Sequence, residues 1–197
     1  MKIACLGDSL TEGDYGVYQK RGIADVKSKN YPYFLGKLLD AEVLNYGKCG
    51  YTSSSYLEHY KEGNADVSDA DVVIVMLGTN GGMDDEVCTQ ENKDFDELIN
   101  LIKSDAPRAK LFICTPPHAT RNEEMSNCGY AEQVEKAVRF VRKYTKKNGI
   151  ACIELAECEL FCAENESILQ PNDGLHYSEA GYAIMAIAVK DALKAQM

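Results

Sequence analysis

The sequence predicts an α/β fold in which a five-stranded parallel sheet carries helices on both faces. Three observations point there. Five short apolar runs recur along the chain, at Ile3–Leu6, Glu42–Asn45, Val72–Leu77, Lys110–Cys114 and Ile150–Glu154. Stretches with helical spacing lie between them, and alternating strands and helices build parallel sheets through right-handed crossovers. The third run, VVIVML, is apolar without alternation, as a strand buried on both faces should be.

The first run stops at Gly7, and three hydrogen-bonding side chains follow at once: Asp8, Ser9 and Thr11. Residues Asp14 to Asn30 are polar and show no period, so they read as a long loop, a class of segment that is often functional. A helix should begin near Pro32, which suits a first helical turn, and carry Tyr33, Phe34, Leu38 and Leu39. Phe95, Leu98, Ile99 and Ile102 follow the i, i+3, i+4, i+7 rule of an amphipathic helix. Tyr130, Val134, Ala137, Val138, Val141 and Tyr144 extend the same rule over a longer helix, which Asn148-Gly149 should end. Ser178 reads as the N-cap of a last helix carrying Ile184, Ile187 and Ala188.

The chain has 197 residues, 45% of them hydrophobic, which suits one folded domain spanning 1–197 with a full-sized core. Its net charge is -10. Nucleic-acid binding requires clustered Lys and Arg, and the clusters are small, such as Lys27 with Lys29, and Lys143 with Lys146 and Lys147. A nucleic-acid partner is therefore not expected. The start, MKIACLGDS, has too few apolar residues for a signal peptide, and no run is long enough to cross a membrane. A cytoplasmic location without membrane insertion is expected, although a secreted mature form would read the same. The eight cysteines include no CxxC pair, so the usual zinc knuckles are absent and reduced structural thiols are expected. Cys158 and Cys162, four apart, could share a helix face. The oligomeric state is not legible.

In open α/β sheets, ligands bind beyond the C-terminal ends of the strands. After the first run come Asp8 and Ser9. After the second comes NYGKCGYTSS, after the third GTNGG with Asn80, and beyond the fifth NDGLHYSEAGY with Asp173 and His176. These clusters fall on one rim. A serine hydroxyl is a weak nucleophile until a base takes its proton. Of His59, His118 and His176, only His176 has a carboxylate close by in a short loop, Asp173. The carboxylate could accept from Nδ1–H and leave Nε2 to face Ser9, the logic of a catalytic triad. The backbone N–H groups of Ser9 and Gly50 and the side-chain amide of Asn80 could then hold an oxyanion. Each signal also has a plainer reading. Asp8, Ser9 or Thr11 could cap a helix, Asn80 could bond its own turn, and Asp173-Gly174 could be a turn only. Asp8, Tyr15 and Tyr177 flank the reactive groups and are expected to touch the substrate, as are Tyr18, Lys20 and Arg21 of the long loop. His118, in TPPHAT, either lines the pocket or ends a proline-shaped turn, and takes no role.

Taken together, GDSLTEG at 7–13, NYGKCGYTS at 45–53, VIVMLGTN at 73–80 and DGLHYSEAGY at 173–182 resemble the GDSL, or SGNH, family of serine esterases. The blocks stand in the family's order and span almost the whole chain. The resemblance implies a three-layer α/β/α fold with the flavodoxin-like strand order 2-1-3-4-5, and hydrolysis of carboxylic esters without metal or cofactor. Carried over by position, Ser9 is the nucleophile, His176 the base and Asp173 its orienter, with Ser9, Gly50 and Asn80 as the oxyanion hole. The chain departs from the family pattern at Gly81, where an acidic residue is common, and at Tyr177, where proline is common. A small ester is the expected partner, most simply a short acyl group such as acetyl on a sugar. Longer acyl chains, as in a lysophospholipase or thioesterase, and a binding module without catalysis are the alternatives.

Overall fold

Alternation on the first strand sets the layering. In β1 (Lys2–Gly7), Ile3 and Cys5 point to one side and Ala4 and Leu6 to the other, and all four are fully buried. The computed structural model describes residues 1–16 and 29–196. Beside β1 lie β2 (Glu42–Gly47) and β3 (Val72–Met76), followed by β4 (Lys110–Cys114) and β5 (Ala151–Ile153). All pairings are parallel, in the order β2-β1-β3-β4-β5. β3 is buried at all five positions, which accounts for its unbroken apolar run.

Helices cover both faces. On the Leu6 side, α3 (Ser53–Lys61), α4 (Gln90–Asp105) and α5 (Ala131–Asn148) bring Tyr56, Phe95, Leu98 and Val141 against Val73 and Val75. On the Ile3 side, α2 (Tyr31–Leu39) and α7 (Glu179–Gln196) bring Leu35, Met185 and Val189 against Ile74 and Met76. Each fully buried aliphatic side chain contributes about 1.5–3 kcal/mol. Two short helices complete the order, α1 (Ser9–Glu12) and α6 (Glu166–Leu169).

The ends follow local chemistry. Asn30 caps α2, its Oδ1 accepting from Tyr33 N at 2.9 Å. Ser178 Oγ accepts from Gly181 N at the start of α7. Gly149, at φ 62°, ends α5. Two helices stand as expected, each with its own buried face, and two further expectations need correction. α2 buries Tyr31, Pro32 and Leu35 and leaves Tyr33 and Leu38 exposed. α7 turns Met185, Ala186 and Val189 inward, and Ile187 faces outward. Both helices are apolar on several sides, so spacing alone did not select the face. Tyr130 lies in a 3₁₀ turn ahead of α5, not in the helix itself. Cys158 and Cys162 flank separate 3₁₀ turns and do not share a helix face. No disulfide joins cysteines among the described residues. Burial pushes Cys5 up to about 12, which leaves it inert.

α3 was not anticipated from the sequence. Its start, TSSS, resembles a loop, yet Thr52 and Ser55 form a reciprocal capping box there.

Candidate active site

The turn after β1 is built by close contact. In the sheet register Gly7 lies opposite both Gly47 of β2 and Met76 of β3. A methyl group on Gly7 would stand 2.2 Å from Thr11 Oγ1 and 2.4 Å from the Met76 carbonyl. One on Gly47 would stand 2.0 Å from Glu12 N. The missing side chains let α1 fold back onto the strand ends. Asp8 caps it, Oδ1 accepting from Leu10 N at 3.0 Å. Asn45 ties the turn to β2, its amide donating to the Thr11 carbonyl at 2.8 Å while its Oδ1 accepts from Gly47 N at 2.9 Å. The role of Asn45 went unread in the sequence, although it opens the NYG block.

Ser9 is the first residue of α1, so no helical carbonyl precedes it to accept from its N–H. Its Oγ lies 2.9 Å from His176 Nε2, and His176 Nδ1 lies 2.7 Å from Asp173 Oδ2. Asp173 Oδ1 meanwhile accepts from the backbone N–H groups of Leu175 and His176, at 3.0 and 2.9 Å. Both carboxylate oxygens are therefore committed, and the ring is oriented by its own loop. Gly16 closes over the pair: a side chain there would stand 2.4 Å from Asp173 Oδ2. Asp173, Ser9 and His176 are 1%, 2% and 4% exposed.

Burial alone would lower the His176 pKa. The hydrogen bond and charge of Asp173, with the charges of Asp14 and Asp8, outweigh that and hold it above its ordinary value. For Asp173, burial would raise the pKa, but bonding and charge from His176 and two backbone N–H groups bring it below the usual carboxylate range. The pair thus favours Asp⁻ facing a readily protonated imidazole.

Gly50 and Asn80 follow the neighbouring strands β2 and β3. Gly50 adopts φ +80°, a conformation that favours glycine, and a side chain there would meet nothing within 4 Å. Asn80 donates to the Tyr51 carbonyl at 2.9 Å, which joins the two loops and uses one of its two amide hydrogens. Gly81, the first departure, also has positive φ, and a side chain there would stand 2.3 Å from Gln133 Oε1.

Two expected substrate contacts are corrected. Asp8 is fully buried beneath the turn it caps, and burial pushes its carboxyl up to about 6 despite hydrogen bonding from Leu10 N and Thr79. Tyr177 is also fully buried, its ring 4.8 Å from that of Phe161 and its hydroxyl donating to the His118 carbonyl at 2.8 Å. Neither presents a surface to a ligand. Tyr15 stays partly accessible beside the site. Its hydroxyl donates to the Lys29 carbonyl, and its own carbonyl accepts from Asn172 Nδ2. Tyr18, Lys20 and Arg21 lie outside the described residues. His118 Nε2 is 2.7 Å from Glu166 Oε1, and the residue lines a cavity of about 330 Å³ with Pro117, Arg121 and Val138. No described helix is long and apolar enough to cross a membrane.

Comparison with known proteins agrees with the architecture. The model of the GDSL-like lipase/acylhydrolase family matches residues 5–184. A lipase/acylhydrolase from Enterococcus faecalis superposes with a TM-score of 0.74 at 20% identity, over 99% of this chain and 96% of that one. A carbohydrate acetylesterase from Sinorhizobium meliloti superposes with a TM-score of 0.76 at 17% identity, over 100% and 99%. A further solved structure reaches 28% identity with a TM-score of 0.78, covering 98% and 96%. No curated protein matches the chain.

Proposed function

The chain belongs to the GDSL-like lipase/acylhydrolase family, and from that premise we propose that it hydrolyses carboxylic esters through an acyl-enzyme formed on Ser9. The observation that carries this reading is the unbroken relay from Ser9 Oγ to His176 Nε2, at 2.9 Å, and from His176 Nδ1 to Asp173 Oδ2, at 2.7 Å.

In this mechanism Ser9 Oγ attacks the ester carbonyl carbon while His176 Nε2 accepts the hydroxyl proton. Asp173 holds the ring in the tautomer that leaves Nε2 free, and its negative charge stabilises the imidazolium. The carbonyl electrons move onto oxygen, where the N–H groups of Ser9 and Gly50 and the amide of Asn80 stabilise them. One such donor is worth roughly 3–4 kcal/mol in other hydrolases. As the intermediate collapses, His176 returns its proton to the departing alkoxide and the alcohol leaves. Water then attacks the acyl-enzyme by the same route, releasing the carboxylic acid and the free serine.

The substrate proposed is a short acyl ester, with acetyl groups on a carbohydrate as the first choice. The near-closure of Ser9 and His176 supports a small acyl group. Tyr15 beside the site supports a polar alcohol part, since an aromatic face with a hydroxyl suits a sugar. The fold likeness to the Sinorhizobium meliloti acetylesterase is compatible with this choice. The test is a panel of p-nitrophenyl esters from two to sixteen carbons, acetylated sugars, lysolipids and acyl thioesters, assayed on wild type and Ser9→Ala. The expected result is a maximum at two to four carbons that Ser9→Ala abolishes. A maximum at long chains would favour a lysophospholipase or thioesterase. Equal rates for wild type and Ser9→Ala would remove the mechanism.

A further inference from the structure

The segment after β4, singled out in the sequence as TPPHAT, takes no part in the relay, yet it touches the loop carrying His176 at three points. Thr120 N donates to the Gly174 carbonyl at 2.8 Å. The Tyr177 hydroxyl donates to the His118 carbonyl at 2.8 Å. Between them lies Gln170, 2% exposed, whose side-chain amide donates both to the His118 carbonyl, at 2.9 Å, and to the Leu175 carbonyl, at 3.1 Å. Both amide hydrogens are spent, one on each segment. Leu175 and Tyr177 are the two chain neighbours of His176, so the residue is held on both flanks from one carbonyl.

We propose that Gln170, working through His118 O, is a positioning residue for the base of the ester-hydrolysis reaction, and that Tyr177 is its partner on the other flank. The inference rests on His176 acting as that base. Its physical ground is the loop's location. The loop hangs from no strand, so the sheet register that locates Ser9 does not reach it. The short turn brings the Asp173 carboxylate to the imidazole, and the brace sets both the angle of that contact and the aim of the ring at Ser9. A displacement of about 1 Å at a reacting group can cost on the order of 100-fold in rate. Glu166 reinforces the brace from below by accepting from Thr120 Oγ1 at 2.7 Å, opposite its contact with the His118 ring.

The test compares wild type, Gln170→Met, Tyr177→Phe and Ser9→Ala with p-nitrophenyl acetate, measuring kcat, KM, the pH profile of kcat/KM and the downfield proton resonance of His176 Nδ1–H. Tyr177→Phe removes one oxygen and keeps the buried ring, so it remains informative if Gln170→Met folds poorly. The expected result is a 10- to 100-fold lower kcat in Gln170→Met and about a threefold loss in Tyr177→Phe. KM should stay within twofold, and the Nδ1–H resonance should broaden or move upfield. The pH midpoint should fall as His176 loses part of its contact with Asp173, the remaining nearby charges being Asp14 and Asp8. Wild-type kcat, midpoint and resonance in a folded Tyr177→Phe and Gln170→Met would overturn the brace while leaving the relay intact. A loss seen in KM alone would also overturn it. Activity retained by Ser9→Ala would instead remove the reading on which the brace depends.

Discussion

The two halves of the site are held in place by different physics. The turn carrying Ser9 follows β1, which lies between β2 and β3 in the sheet, and steric contact locates it: Gly7 and Gly47 leave no room for even a methyl group. The loop carrying Asp173 and His176 lies between α6 and α7 and is located by hydrogen bonds, from Leu175 and His176 N to Asp173, from Gln170, and from Thr120 to Gly174. Packing in a sheet core is stiff and unforgiving. A polar network is strong only when every member is satisfied, and it weakens bond by bond. The nucleophile side should therefore fail abruptly when disturbed, and the base side in graded steps.

The largest effect should come from cutting the relay inside the loop that carries Asp173 and His176. Asp173→Asn keeps the size of the side chain but removes the charge and disfavours the tautomer that leaves Nε2 free. The expected loss in kcat is on the order of 10³–10⁴, with KM little changed. Steady-state kinetics of the purified variant checks this, and a loss below tenfold would mean Asp173 does not orient the base.

Next comes the steric half. Gly47→Ala drives a methyl group into the backbone of Glu12 and should destabilise the fold by upwards of about 3 kcal/mol, measurable in urea denaturation. Gly50→Ala is the sharpening control. It meets no neighbour and pays only for its positive φ, about 1–2 kcal/mol. Equal losses at the two glycines would remove the claim that contact locates the nucleophile turn.

The capping carboxylate gives a smaller effect with a definite sign. Asp8 titrates at about 6 when folded, against 3.8 ordinarily, so the folded state holds its proton more tightly than the unfolded state does. That contribution to stability is full below pH 3.8 and is lost as the pH rises through about 6. Asp8→Asn keeps an acceptor for Leu10 N and has no such titration. Relative to wild type, it should gain on the order of 2–3 kcal/mol between pH 4 and pH 7. Parallel stability curves for the two proteins would contradict the assignment.

The smallest expected effect lies at the rim. Tyr15→Phe loses the bond to the Lys29 carbonyl and should change KM for an acetylated sugar by about threefold, with kcat preserved.

What the sequence disclosed follows the same division. β3 was the most legible strand because burial on both faces leaves a continuous apolar run, VVIVM. α4 and α5 were legible because their apolar residues keep to one stripe, from Phe95 to Ile102 and from Val134 to Tyr144. Ser9, Asp173 and His176 stood out because each sits beside a glycine turn at a strand end or in a short loop, and because histidine is scarce in this chain, with three copies. The missed features are long-range or two-sided. Nothing local says that Tyr177 turns into the core while its neighbour His176 turns toward Ser9, or that Asp8 is buried beside Ser9. Gln170 reaches a carbonyl 52 positions away, and only the folded chain brings the two together. Thr52 and Ser55 did carry a readable signal, the capping box that opens α3, which a run of three serines obscured.

The central claim is that Ser9 is activated by His176, and covalent labelling tests it most directly. A fluorophosphonate probe should modify the wild-type chain at Ser9, identified by peptide mass. Labelling should rise with pH to a midpoint above about 6.5, because Asp173 holds the imidazole above its ordinary value. His176→Ala should abolish it. Equal labelling of wild type and His176→Ala, or modification at a residue other than Ser9, would contradict the account.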